Sequence, residues 1–205
     1  MIRTIEMKEE NFTPVFTYIA FDKFDDSDVI RVAKSKEKYN QDDANTYAKI
    51  NGVSFHNGTI RVNVLSKLLA DAPAHARGFI GLAFRINEDD SEFESLYIRP
   101  TNGRVDDPVR KNRALQYFSY PNYTFAYFRD HGITDYEGQA DIGLDEWIAL
   151  KAVIKDEQAD LYVNDKLVLH VPEMIHGKDA RGSVGLFVDI GTDGFFKDLE
   201  IEFDD

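Results

Sequence analysis

Apolar and polar residues alternate with a period of two along much of the chain, which is the pattern of β-strands with one buried face. From Gly58 to Leu65, isoleucine and valine alternate with threonine, arginine and asparagine. The run 77–87 is apolar on both faces, which favours a central strand covered on both sides. A further strand is predicted at 92–99, where a change of phase between Phe93 and Leu96 indicates a β-bulge.

The second half of the chain continues this pattern. Strands are predicted at 146–155, 158–163, 166–171, 182–189 and 194–203. Asn164-Asp165 separates two of them, and two such polar residues between β-rich runs predict a hairpin turn. The best helical candidate is the short piece 64–70, and 100–112 lacks an apolar pattern and is predicted to be a loop.

These elements predict one all-β domain over residues 1–205, built as a sandwich of two antiparallel sheets. Strands recur roughly every 10–15 residues with turn residues between them. No internal repeat and no Gly/Ser linker interrupts the chain. A length of 205 residues suits a single large β-domain.

Composition narrows the classes of function. The formal net charge is −13, which argues against nucleic-acid or anionic-membrane partners because the required field of Lys and Arg is missing. Cysteine is absent, so disulfides and thiol chemistry are excluded. No apolar run approaches the ~18 residues of a membrane span. The first residues lack the apolar core of a signal peptide, so a cytoplasmic location is expected, although a chain without its leader would look the same.

Residues 97–137 differ from the rest of the chain because they are rich in both arginine and tyrosine. Aromatic rings offer flat apolar faces with polar tips, and guanidinium groups offer forked hydrogen-bond donors. Together they suit neutral or anionic polyols such as sugars, so this segment is the predicted ligand-binding region.

Several short motifs resemble the concanavalin A-like lectin/glucanase superfamily. More narrowly, they resemble bacterial domains of unknown function related to the 3-keto-disaccharide hydrolase and family-16-like group. The motifs are the Arg-Pro-x-Asn-Gly loop at 99–103, Gln116-Tyr117, Tyr136-Glu137, the strand with Trp147, the hairpin at 162–164 and the Gly-x-Val-Gly-Leu strand at 182–186. The resemblance implies a jelly-roll sandwich with a sugar groove across the concave sheet, and it does not imply catalysis.

The carboxylate string of catalytic family-16 glucanases, Glu-x-Asp-x-(x)-Glu, is absent from this chain. The nearest equivalent is Asp198, Glu200 and Glu202, which alternate along one strand and have a spacing that could serve a carboxylate pair. We expect these acids to face water while Leu199 and Ile201 supply the buried side.

The predicted substrate-binding residues are Arg99, Arg104, Arg110, Arg113, Gln116, Tyr117, Tyr123, His131 and Tyr136. The arginines could bind sugar hydroxyls or an acidic substituent, or they could instead pair with nearby aspartates. The tyrosines, with Tyr120, Phe125 and Tyr127, could stack on a sugar or could fill the core. Trp147 is expected to pack in the core.

If a reaction occurs, Glu137 is the candidate catalytic acid or base. Its competing role is a salt bridge to one of the central arginines, and we favour the salt bridge. The histidines lack the spacing of a metal site. Acidic pairs such as Asp42-Asp43 raise the alternative of a structural calcium, but none forms a calcium loop, so we expect solvated charge and no cofactor.

The sequence therefore predicts a carbohydrate-binding jelly-roll protein with a saccharide as its partner. The first alternative is a glycoside hydrolase that acts on a disaccharide or keto-disaccharide. The second is a non-catalytic domain that uses its aromatic patch to bind another protein. The sequence leaves the oligomeric state open.

Overall fold

The computed structural model describes residues 1–204, which form two antiparallel β-sheets packed face to face. Sheet A has the strand order β13-β12-β11-β6-β15-β4-β3, and β1 pairs with β15. Strands are numbered in chain order, and those of sheet A are β1 (Ile2–Ile5), β3 (Thr17–Phe24), β4 (Ser27–Lys34), β6 (Gly58–Leu68), β11 (Ile148–Lys155), β12 (Gln158–Val163), β13 (Lys166–Val171) and β15 (Thr192–Phe203).

Sheet B has the strand order β10-β9-β8-β7-β14-β5-β2. Its strands are β2 (Phe12–Val15), β5 (Tyr47–Ile50), β7 (Ile80–Ile86), β8 (Phe93–Ile98), β9 (Leu115–Tyr120), β10 (Glu137–Gly138) and β14 (Ser183–Val188). The helical elements are short: α1 (Pro108–Lys111), α2 (Phe125–Asp130) and 3-10 turns at Glu9–Asn11, Lys36–Lys38 and Pro100–Asn102.

The predicted all-β sandwich is confirmed. Each strand predicted from alternation is present, as β6, β7, β8 and β11 to β15. The hairpin between β12 and β13 is also present, and its turn residues Asn164 and Asp165 have φ of 48° and 64°. Positive φ at both central residues is the turn geometry that matches the twist of the flanking strands.

Two local predictions are wrong. The segment 64–70 is not helical, because β6 continues to Leu68 and pairs there with Thr192 of β15. The bulge does not lie in β8, which pairs with β7 and β9 without a shift of register. Register shifts occur instead between β7 and β14, where Arg85 has a φ of 52°, between β12 and β13, and between β6 and β15. The loop predicted at 100–112 is present and contains one 3-10 turn and α1.

The inner face of sheet B is the core of the sandwich. A Cβ on Gly194 of sheet A would lie 2.7 Å from Val188 and 3.2 Å from Ile80, so these side chains point across the interface. The opposite, outer face of sheet B carries a continuous layer of buried side chains. One row across its strands runs through Glu137, Gln116, Tyr97, Gly81, Phe187 and Tyr47.

The outer face of sheet A is more open. Arg61 lies there and forms ion pairs with Glu200 and Glu202 at 3.3 and 3.1 Å. Leu199 and Ile201 are fully buried, so the acids of β15 face water as expected. Trp147 does not pack in the core as predicted; it lies half-buried against Phe24 and Lys197, because Ile148 takes the inward position.

Candidate functional site

A cavity of about 390 Å³ opens on the outer face of sheet B. Its lining combines five guanidinium groups, three carboxyl groups, three aromatic rings, one imidazole and one amide. These belong to Arg77, Arg99, Arg110, Arg113 and Arg129, to Asp42, Asp43 and Asp189, to Phe79, Tyr97 and Phe125, and to His75 and Asn102. The volume lies within the range of small-molecule sites.

Arg99 and Tyr97 form the floor of the cavity. They lie at the end of β8 and share its outer face, because side chains two residues apart point the same way. Arg99 is only 3% exposed, and its Nη2 donates to the Tyr97 hydroxyl at 2.7 Å and to Gln116 Oε1 at 3.1 Å. Burial raises the pKa of Tyr97 well above its ordinary value, so the phenol keeps its proton.

Gly81 makes room for this floor. It pairs with Tyr97 across β7 and β8, and a Cβ there would lie 2.3 Å from the Leu96 carbonyl oxygen and 2.7 Å from Tyr97 Cβ. The absence of a side chain on β7 therefore lets Tyr97 lie against the sheet. Phe187 and Phe118 pack around the phenol ring with centroid distances of 5.4 and 5.7 Å.

Glu137 connects three of the cavity arginines. The short edge strand β10 places it opposite Gln116, and its side chain is 9% exposed. Its carboxylate lies 3.2 Å from Arg99, 3.5 Å from Arg113 and 3.1 Å from Arg129. We call this group the Glu137 cluster. It holds three positive charges around one negative charge, so it fixes the guanidinium groups and leaves positive charge in excess.

Asp43 and Asp189 form the opposite side of the cavity floor. The Asp43 backbone N–H donates to Asp189 Oδ2 at 2.8 Å, and Lys34 Nζ donates to Asp189 Oδ1 at 2.5 Å. Asp43 Oδ2 accepts from the backbone N–H of Phe125 at 2.9 Å. Burial, with the nearby charge of Asp189, raises the pKa of Asp43 to about 7. This carboxyl group is therefore partly protonated at neutral pH.

Arg77 and Arg110 line a third side, and both contact the 3-10 turn at Pro100–Asn102. The Arg77 carbonyl oxygen accepts from the Thr101 N–H at 3.2 Å. Arg110 Nε donates to Asn102 Oδ1 at 3.0 Å, and its Nη2 donates to the Thr101 carbonyl oxygen at 3.3 Å. Over residues 1–204, neither guanidinium has a carboxylate within 4.0 Å.

The structure brings part of the predicted site together. Arg99, Arg110 and Arg113 line the cavity, and Gln116 and Glu137 bond directly to Arg99. Glu137 forms the salt bridges that we favoured over a catalytic role. Arg104 lies elsewhere, on the surface, where it pairs with Asp141 at 2.6 Å and with Glu146 at 2.9 Å.

The four other predicted residues do not line the cavity. Tyr117 points into the sandwich and donates its hydroxyl proton to Glu94 at 2.9 Å. Tyr136 packs on Tyr117 with ring centroids 5.2 Å apart. Tyr123 and His131 both pack on the ring of Tyr127, at 4.8 and 4.1 Å. Of the proposed stacking platform, only Phe125 reaches the cavity.

Sequence reasoning missed the residues that approach from outside the segment 97–137. The expectation of solvated charge fails at Asp43, which is 2% exposed. Asp189 and Lys34 look like ordinary strand-end charges, and Arg77 and Phe79 were assigned to the predicted strand 77–87, whereas β7 begins only at Ile80. A short charged residue directly after a strongly apolar strand was the available signal for Asp189.

Two further features bear on the kind of site. Within residues 1–204, no three His, Asp or Glu side chains are grouped as a metal ion would require. None of the helices in this part of the chain has the length and apolarity to cross a lipid bilayer.

Comparison with known proteins supports the fold. No protein-family model matches the sequence, and no curated protein is significantly similar to it. Among solved structures, the carbohydrate-binding module CBM66 from Bacillus subtilis is similar with a TM-score of 0.61 and 14% identity, over 94% of this chain and 96% of that one. A Bacillus subtilis protein of unknown function with a galectin-like fold has a TM-score of 0.57 and 10% identity, over 98% of each chain.

A candidate glycosyl hydrolase from Parabacteroides distasonis is also similar, with a TM-score of 0.53 and 12% identity, over 97% of this chain and 96% of that one. At these identities the similarity concerns the fold, which is therefore a jelly-roll or galectin-like β-sandwich. The narrower resemblance to the 3-keto-disaccharide hydrolase group stays a prediction.

Proposed function

We propose that this protein binds a saccharide in the cavity on the outer face of sheet B. The observation that carries the proposal is the lining itself, in which the rings of Phe79 and Phe125 lie beside fixed guanidinium, carboxyl and amide groups. A sugar ring has C–H groups that pack on aromatic faces and hydroxyls that both donate and accept hydrogen bonds. The similarity in fold to a carbohydrate-binding module agrees with this proposal.

The rigidity of the site supports binding as its role. Arg99 is held by Tyr97, Gln116 and Glu137, so its guanidinium loses little side-chain entropy when a ligand arrives. Arg113 and Arg129 are partly exposed and keep donors on the cavity side of the Glu137 cluster. Preorganised donors of this kind favour a ligand with several hydroxyl groups at fixed spacing.

The proposal is tested by calorimetric titration of the full chain with a panel of monosaccharides and disaccharides. For a sugar that binds, Phe125→Ala should weaken affinity about fivefold, since one aromatic contact contributes on the order of 1 kcal/mol. The matched control is Tyr18→Ala, which removes a 60% exposed ring from sheet A and should leave affinity unchanged. No heat from any sugar, or equal losses in both variants, would contradict the proposal.

A second candidate function is glycoside hydrolysis, and a specific observation favours Asp43 over Glu137 as its acid. Asp43 lines the cavity and burial raises its pKa to about 7, which suits a proton donor at neutral pH. The Glu137 carboxylate is instead occupied by three guanidinium groups. Turnover of disaccharides and keto-disaccharides by the wild type that is lost in Asp43→Asn would establish this activity. Equal inactivity of both proteins would leave binding as the function.

A further inference from the structure

We propose that the saccharide carries a carboxylate, as a uronic acid unit does, and that Arg77 and Arg110 hold this carboxylate. The inference rests on the proposed function and specifies the class of sugar that the cavity accepts. It follows from where these two arginines lie, which of their donors are free and how charge is distributed around them.

The two guanidinium groups lie on the same wall. Both residues bond to Thr101, Arg77 through its backbone carbonyl and Arg110 through its side chain. Burial lowers the pKa of Arg77, and the nearby charges of Arg110 and Arg99 lower it further. Like charges held close together repel each other unless an anion lies between them or beside them.

Each guanidinium keeps donors that no group within residues 1–204 uses. Arg77 donates from Nη1 to the carbonyl oxygens of Ala74 and Ala76 at 2.9 and 2.8 Å, which leaves Nε and Nη2 free. Arg110 donates from Nε and Nη2, which leaves Nη1 free. The adjacent free Nε–H and Nη2–H groups of Arg77 match the two oxygens of a planar carboxylate, and Arg110 adds the N–H groups of Nη1.

The charge balance of the cavity also favours an anion. Counting the lining residues with their direct partners Lys34 and Glu137, six permanent cations face four carboxyl groups. One of those four, Asp43, is partly protonated at neutral pH. The chain as a whole has a net charge of −13, so this positive excess is specific to the cavity.

The test compares sugars that differ only at the acidic group. Galacturonate, its neutral methyl ester and galactose are titrated into the full chain by calorimetry. Glucuronate and mannuronate are each compared with their own methyl ester and neutral parent sugar in the same way. Because a charge-assisted hydrogen bond contributes more than a neutral one, at least one uronate should bind about tenfold or more tightly than its own methyl ester. Acetate alone should bind far more weakly than that uronate.

Variants assign the preference to the two arginines. Arg110→Lys keeps the charge but loses the planar group that Asn102 and Thr101 hold in place, and Arg77→Gln removes the charge and the free Nε and Nη2 donors, so both should reduce the uronate-to-ester ratio several-fold. Thermal unfolding of each variant checks that it remains folded. The control is Arg104→Gln, which lies outside the cavity and should keep the wild-type ratio.

The outcomes distinguish this inference from the proposed function. Equal affinity for every uronate and its ester overturns the carboxylate assignment while saccharide binding stands. Tighter binding of glucose 6-sulfate than of any uronate also overturns it, in favour of a tetrahedral anion. Binding of acetate as tight as that of the uronates, or no binding of any sugar, overturns both proposals.

Discussion

Each sheet carries a cluster of ion pairs on its outer face. The two clusters differ in which charge is in excess and in how far solvent reaches the side chains. On sheet B, Glu137 binds three guanidinium groups and its side chain is 9% exposed. On sheet A, Arg61 binds Glu200 and Glu202, and all three side chains are more than a third exposed. The contrast shows that the number of ion pairs in a cluster does not decide whether the cluster belongs to a binding site. What distinguishes sheet B is the pair at the centre of its cluster: the Arg99 and Glu137 side chains are only 4% and 9% exposed, so these two charges are desolvated and fixed in position, whereas Arg113 and Arg129 remain partly exposed.

The largest expected effect is on stability when the sheet B cluster loses its anion. Glu137→Gln leaves the buried Arg99 without its charged partner, and unpaired buried charge costs about 3–5 kcal/mol of unfolding free energy. Urea denaturation measures this cost. Glu200→Gln is the matched change on sheet A and should cost less than about 1 kcal/mol. Similar losses in the two variants would remove the distinction between the faces.

The next effect concerns how tightly the outer face of sheet B is packed. Gly81→Ala adds a methyl group where the backbone of β8 lies 2.3 Å away, so it should cost about 1–3 kcal/mol or more. Ala149→Val adds bulk on the exposed outer face of sheet A and should change stability by less than about 0.5 kcal/mol. Chemical denaturation of both variants compares them. If Gly81→Ala were as stable as the wild type, the side chains on the outer face of sheet B would be loosely packed.

A third prediction concerns pH. Burial raises the pKa of Asp43 from 3.8 to about 7, so the folded protein holds a proton that the unfolded chain releases in that interval. The stabilising contribution of this proton is complete below about pH 4 and is lost as pH rises to about 7. The amide introduced by Asp43→Asn does not titrate, and asparagine tolerates the φ of 49° at this position. The amide also keeps an oxygen that can accept from the Phe125 N–H.

The free energy of unfolding of Asp43→Asn, relative to wild type, should therefore increase between pH 5 and pH 8 by roughly 2–3 kcal/mol. Thermal and urea unfolding at several pH values measure the difference. The control is Asp28→Asn, an exposed acid on sheet A, whose difference from wild type should hardly vary across this interval. A constant difference for Asp43→Asn would show that this carboxyl group titrates normally.

The smallest effect is expected on sheet A. Arg61→Gln removes both exposed ion pairs and should cost at most about 1 kcal/mol, because partial solvation weakens them and ordering of long side chains opposes them. Affinity for saccharide should be unchanged, since Arg61 lies on the opposite face from the cavity. A loss of affinity in this variant would place the binding surface on sheet A.

The strands β6 to β8 and β11 to β15 could be predicted because their pattern is local, whereas β1 to β5, β9 and β10 were not predicted. The hairpin at Asn164-Asp165 and the alternation of β6 are readable without the rest of the molecule. The helix expected at 64–70 failed because β6 gains its partner β15 from more than a hundred residues away, and that pairing overrides local propensity.

Only the part of the candidate site that comes from the segment 97–137 was predictable from the sequence. Arg99, Arg110 and Arg113 were found because the loop after a buried strand is unusually rich in arginine. Asp43 and Lys34 could not be found, because nothing in their local sequence indicates that they become buried beside Asp189. Their roles depend on the register of sheet B and on its contact with β4, which no local pattern encodes.

The basic cavity in an acidic chain has a consequence for the rate at which a negatively charged sugar arrives. The net charge of −13 repels such a sugar at long range, and this repulsion extends over about 10 Å at 0.1 M ionic strength. Added salt should therefore speed association by shortening the repulsive field, and should also speed departure by weakening the guanidinium contacts. In a protein whose surface and binding site both carry the charge that attracts the ligand, added salt slows association instead.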